Sequence, residues 1–302
     1  MRYRPVGKTA TVVSALSFAL CEDGLKRGPA DWTNLIFAAL EQGINCFEVL
    51  THSPAIAEGI ARALTSVERE LLFIAWRVGR VPPSQGPVRS FSPAAVVGQL
   101  RAVLARSRLE YLDLAMLDDP QADDVGPDTL AALDQARAAG EVRLFGVSGA
   151  DDAVDAHIAS GRFDVLGTPY NLISGWRERN WLRAAAAKDM AVFGYDPYPI
   201  DFHRAVSASL RQDSKGHVEA LHGCGSYMFL DSTANWTAEE ICVAHALTEP
   251  GLATIQVHAP SLDRLERLAD TTEREMPPGL SAQIEMARFA PAPHAEPERR
   301  RA

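Results

Sequence analysis

Two carboxylates command attention first: Glu48 lies in the apolar run Ile44–Val49, and Asp118 follows the run that begins at Tyr111. Brought together at the mouth of a barrel, two such groups can give and take protons, as a lyase or isomerase requires. His52 has the pKa range for general acid work, although a loop histidine in this position also reads as solvent-exposed. A different chemistry is indicated near the C-terminus. Ser261 precedes the helix-like stretch Leu262-Asp263-Arg264-Leu265 and can cap it, and the free N–H groups of that helix start could hold a phosphate. Arg264 either adds charge there or is an ordinary solvated helix residue. Metal chemistry is not indicated. His203, His217, His222 and His258 lack ligand spacing, and Cys21, Cys46, Cys224 and Cys242 contain no C-x-x-C pair, so buried thiols are expected.

These residues are positioned by an alternation of short apolar or β-branched runs with longer segments of helical period, which implies βαβ units and a parallel sheet. From Trp32 to Gln42, Leu35, Ile36, Ala39 and Leu40 recur at helical spacing, Gly43 stops the helix, and Ile44–Val49 reads as a buried strand. The run 91–108 repeats the pattern, with Ser92 as N-cap, Pro93 in the first turn, and Val96, Val97, Leu100, Val103 and Leu104 on one face. A third unit runs from Pro127 to Ala139, stops at Gly140 and enters the strand Val142–Val147, and Leu252–Val257 reads as the last strand. Eight such units need about 250 residues, which a 302-residue chain accommodates. A (β/α)8 barrel over residues 1–289 is expected, with a disordered Pro-rich tail at 290–302.

The composition, 47% hydrophobic and 23% charged, fits a soluble globular chain. Neither a bilayer-length apolar run nor a secretory leader is present in the sequence, so the cytoplasm is the expected location. A net charge of -9 argues against nonspecific binding to nucleic acid or to an anionic membrane. The stretch from Ile200 to Asn235 is long, interrupted by Gly216, Gly223 and Gly225, and contains the apolar cluster Tyr227-Met228-Phe229-Leu230. That cluster either covers the barrel mouth or anchors a partner.

Several segments, in order, resemble the aldo-keto reductase superfamily: Arg4–Thr9 with Val13–Leu16, Gly43–Phe47, Phe73–Ala75, Tyr111–Leu114, Gly140–Ser148, and Phe163–Leu166 leading to Tyr170-Asn171-Leu172. The resemblance implies a reductase-type barrel and a nicotinamide nucleotide, NADPH or NADH. It also implies an Asp, Tyr, Lys and His tetrad, in which the tyrosine gives a proton to the carbonyl oxygen. At the matching positions this chain has Glu48, Ser53, Arg77 and Asp118. An aliphatic hydroxyl is a far weaker acid than a phenol, a guanidinium does not relay protons, and an anionic Asp118 would repel a developing oxyanion. Glu48 and Arg77 are expected to form a structural ion pair in place of the family's aspartate and lysine.

By the same resemblance the cofactor positions are partly kept. Ser148 matches a carboxamide contact, and Tyr195 the aromatic that stacks on the nicotinamide. Gly149 and Gly167 replace an asparagine and a glutamine, Ser17 and Ala19 replace glycines, and Pro260 replaces the basic residue that grips a 2′-phosphate, leaving Arg264 as the nearest substitute. The expected protein is thus a tetrad-lacking homologue. It acts through protein partners, with nucleotide as a regulatory ligand, as do tetrad-lacking members in bacterial cell-cycle and division control. The competing expectation is an NADP(H)-dependent oxidoreductase with His52 or a protonated Asp118 as proton donor.

Overall fold

The computed structural model describes residues 1–80, 89–201, 204, 227 and 229–289. An antiparallel hairpin, β1 (Tyr3–Pro5) and β2 (Val12–Ser14), opens the chain. Strand and helix then alternate: β3 (Leu16–Leu20), α1 (Pro29–Glu41), β4 (Cys46–Val49), α2 (Pro54–Ala63), β5 (Phe73–Val78), α3 (Pro93–Ser107), β6 (Leu112–Asp118) and α4 (Pro127–Ala138). They are followed by β7 (Val142–Ser148), α5 (Ala153–Ser160), β8 (Val165–Pro169), α6 (Trp176–Ala187) and β9 (Ala191–Tyr195). The chain continues with α7 (Phe229–Ser232), α8 (Ala238–Leu247), β10 (Thr254–Val257), α9 (Leu262–Asp270) and α10 (Leu280–Phe289). Strands β3 to β10 are parallel and close into a barrel, with β10 hydrogen-bonded to both β9 and β3.

The expected (β/α)8 architecture is therefore present, and the sequence signals act where they were read. Ser92 caps α3 by accepting a hydrogen bond from the Ala95 N–H, and Gly43 and Gly140 take the left-handed conformation that ends their helices.

Alternate residues along each strand face opposite sides. Leu16, Phe18, Phe47, Ile74, Trp76 and Val147 pack outward under the helices, while Cys46, Phe73, Ala75, Leu114, Met116, Val165 and Phe193 fill the barrel. Val6 and Val13 join the interior cluster, so the hairpin plugs the barrel bottom, each valine contributing about 1.5–3 kcal/mol of burial. Arg4 secures the plug by donating to the carbonyls of Leu247 and Leu252. With the bottom sealed, the polar interior residues collect at the opposite, C-terminal end of the strands. Among the described residues no helix is long and apolar enough to cross a membrane.

Candidate functional site

Strand stagger decides which polar groups meet. Glu48 is level with Ala75, and Arg77 is level with Met116, so Arg77 reaches past Glu48 toward the end of β6. There its Nη1 lies 3.0 Å from Asp118 Oδ1. Gly79, at φ +99°, turns the chain back so that Arg80 Nε donates to Asp118 Oδ2 at 2.8 Å. The expected Glu48–Arg77 pair does not form, because Glu48 sits one layer deeper. It accepts instead from Ser17 Oγ (2.5 Å) and Gln256 Nε2 (2.8 Å). Burial pushes the Glu48 pKa up, and the nearby Arg77 charge and the two hydrogen bonds offset this only in part. Asp118 behaves oppositely. Burial acts to raise its pKa too, but Arg77 and Arg80, as charges and as donors, hold it below the usual carboxylate range. A protonated Asp118 acting as acid is thereby disfavoured.

At the end of β9, Tyr195 lies beside the same arginine, with the Arg77 guanidinium 5.1 Å from its ring centroid. Burial, only partly countered by that charge, pushes the phenol pKa up to about 12, so Tyr195 is a weaker acid than free tyrosine. Ser53 is buried at the start of α2, with Pro54 in the first turn, and its side chain makes no cap hydrogen bond. His52 is half-buried, not exposed as expected. It lies against the Arg80 backbone, and burial lowers its pKa.

The nucleotide-related positions are only partly free. Ser148 is buried and donates to the Leu117 carbonyl at 3.2 Å. A Cβ at Gly167 would stand 3.1 Å from the Ser148 Cβ, so the small residue keeps these strands close. Ser261 caps α9 as expected, accepting from the Arg264 N–H at 3.4 Å. The Arg264 guanidinium is half-buried and engaged: its Nη2 pairs with Glu239 Oε1 at 2.6 Å.

Asp23 and Arg27, which carry no sequence expectation, meet His258, which the sequence singles out only for its lack of metal-ligand spacing. Arg27 pairs with Asp23 at 2.6 Å and donates to the Pro260 carbonyl at 2.8 Å, while His258 lies 3.7 Å from Asp23. They tie the loop after β3 to the loop after β10. The four-residue spacing of Asp23 and Arg27 gave no signal of the pairing, because residues 23–27 form a loop and not a helix. The polar Gln256 inside an apolar strand was a signal, pointing to a buried partner.

Of the 200–235 segment, residues 202–203, 205–226 and 228 lie outside the described residues, as does the 290–302 tail. Tyr227, Phe229 and Leu230 are buried with Leu172, Ile241, Cys242 and Ile284, so they form part of a core and not an exposed anchor. Of the four cysteines expected to be buried thiols, Cys46 and Cys242 are buried, Cys21 is only half-buried, and Cys224 lies outside the described residues.

Comparison with known proteins supplies a family and a neighbour. The aldo/keto reductase family profile matches residues 33–287. Among solved structures the chain is similar to the aldo-keto reductase AKR11C1 from Bacillus halodurans, in its holo form. The identity is 18%, the alignment covers 98% of this chain and 99% of that one, and the TM-score is 0.76, a likeness that bears on the fold.

Proposed function

We propose, on the premise that the chain belongs to the aldo/keto reductase family, that this member binds a nicotinamide nucleotide as a ligand and acts as a regulator through a protein partner. By resemblance to the family's tetrad-lacking members, we assign its output to bacterial cell-cycle or division control. One observation carries the non-catalytic part: apart from His52, the described groups around the family's proton-donor position are weakened as acids or already engaged in hydrogen bonds. Ser53 has replaced the phenol, Tyr195 is a weakened acid, Asp118 is held as a carboxylate by Arg77 and Arg80, and Glu48 is enclosed by Ser17 and Gln256.

The residues fit a nucleotide in part. Ser148, Tyr195 and the Ser261-capped start of α9 are the residues that would hold it, although the Ser148 hydroxyl is already donated to the Leu117 carbonyl. When bound, the nucleotide would supply a hydride, but the Arg77 guanidinium over Tyr195 competes for the ring face on which a nicotinamide would stack. Pro260 offers no charge and Arg264 is neutralised by Glu239, so a 2′-phosphate gains little here. NADH should therefore bind at least as tightly as NADPH. Calorimetric titration with both, followed by fluorescence of the reduced nucleotide on a carbonyl panel, tests the reading. Binding without carbonyl-dependent consumption supports it. Consumption that disappears in His52→Ala would replace it with an oxidoreductase using His52.

A second reading draws on the opposite pKa shifts of Glu48 and Asp118, since a raised and a lowered carboxylate suit an acid and a base. Both Asp118 oxygens already accept from arginines, which weakens it as a base. Cofactor-independent turnover lost in Glu48→Gln would favour this alternative.

A further inference from the structure

The partner half of the proposed function calls for a surface, and α6 presents one. Trp176, its first residue, is 75% exposed, and the preceding Ile173 is 40% exposed. The helix does not need this indole to stay folded. Trp181, Leu182 and Ala185 bury its inner face, and Glu178 closes the first turn by accepting from the Gly175 N–H at 2.7 Å. The tryptophan is thus displayed on a rigid element beside the C-terminal end of β8, the end of a barrel where binding loops gather. An exposed tryptophan on a fixed backbone is the residue type that most often anchors protein interfaces.

Charge specifies the occupant. Between Trp176 and Lys188 the chain has four cations and the single acid Glu178 in a protein of net charge -9; Arg179 is taken up by Glu285 at 3.1 Å, which leaves Arg177, Arg183 and Lys188 to face outward. Arg177 is preorganised, its guanidinium 4.8 Å over the Trp181 ring and 2.9 Å from Asp152, which is 95% exposed. Arg183 lies two turns along from Trp176 on the same face, is exposed, and has no ion pair among the described residues. We infer that this aromatic-tipped basic face of α6 is a docking surface for an acidic protein segment bearing a large apolar side chain, which would sit on Trp176 while its carboxylates meet Arg177 and Arg183.

The inference rests on the partner reading, but its test needs neither nucleotide nor turnover. A displayed library of 12-residue peptides would be selected on the full chain, and the enriched peptides titrated against wild type, Trp176→Ala and Arg183→Glu. We expect acidic peptides containing an aromatic or Leu, at least tenfold weaker on either variant and weakened by added salt, with both variants melting as wild type does. Peptides without acidic bias, peptides that bind the variants equally, or no enrichment at all would overturn the inference. So would a wild-type dimer that Trp176→Ala dissociates, since a second copy would then cover this face. A protein that consumes NADH on carbonyls yet binds these peptides loses only the non-catalytic reading. One that binds NADH silently and no peptide loses only the docking surface.

Discussion

Glu48 and Asp118 are both buried carboxylates at the mouth, yet they affect stability with opposite signs. Glu48 is stripped of water with only Ser17 and Gln256 as donors, so its folded pKa is raised. Below the unfolded glutamate value of about 4.3 it is protonated in both states and neutral to stability. As pH rises from there, the unfolded chain loses the proton first, and stability falls until the folded pKa is passed. Asp118, with its folded pKa lowered by Arg77 and Arg80 against the effect of burial, contributes stability above the unfolded aspartate value of about 3.9. That contribution is lost as pH falls through its folded pKa. Glu48→Gln removes one limb and leaves the other. Between pH 4 and pH 8, a window that opens below the unfolded glutamate value, the urea midpoint should therefore lose more, or gain less, in wild type than in Glu48→Gln. Parallel changes in the two proteins would mean that Glu48 ionises as freely in the barrel as in water.

The turn between β5 and α3 shows what an element demands of its sequence. Gly79 has φ +99°, and a Cβ there would come within 2.2 Å of the Phe91 ring. Its N–H and carbonyl are both used, by Gln99 Oε1 at 2.8 Å and the Ser90 N–H at 2.7 Å. Gly79→Ala combines left-handed strain with overpacking and should cost about 3 kcal/mol. Gly98, within α3 and with nothing near its Cβ position, is the control, and alanine there should stabilise by about 0.5–1 kcal/mol. Equal effects of the two substitutions on the denaturation midpoint would refute this account of the turn. The same region marks the limit of what the sequence disclosed. Helical spacing, Ser92, Gly43 and Gly140 are local signals, so the βα units and the barrel were legible from them. The partner of each interior polar group was not, because it depends on stagger between strands and on residues far apart in sequence. Arg77 meets Asp118 and not Glu48 for that reason, and Gln256 reaches Glu48 only because the last strand closes on the first.

At the scale of the molecule, the plugged bottom and the polar mouth belong to one closed barrel, so a ligand at the mouth would be linked to the folding of the whole. The last loop is tied to the first through Arg27, Asp23 and the Pro260 carbonyl, so a nucleotide held at the start of α9 would brace both ends of the strand order. A ligand that binds only the folded chain stabilises it by about 2.7 kcal/mol at 100 times its dissociation constant. In a chain of this size that is a rise in Tm of about 5 °C. NADH at that excess should produce the rise, NADPH at the same concentration should produce no more, and an added carbonyl compound should not erode it with time. A rise that decays only when carbonyl is present would show the nucleotide being oxidised, and would return the barrel to the working reductases of its family. A rise that persists is the outcome that the proposed ligand role calls for.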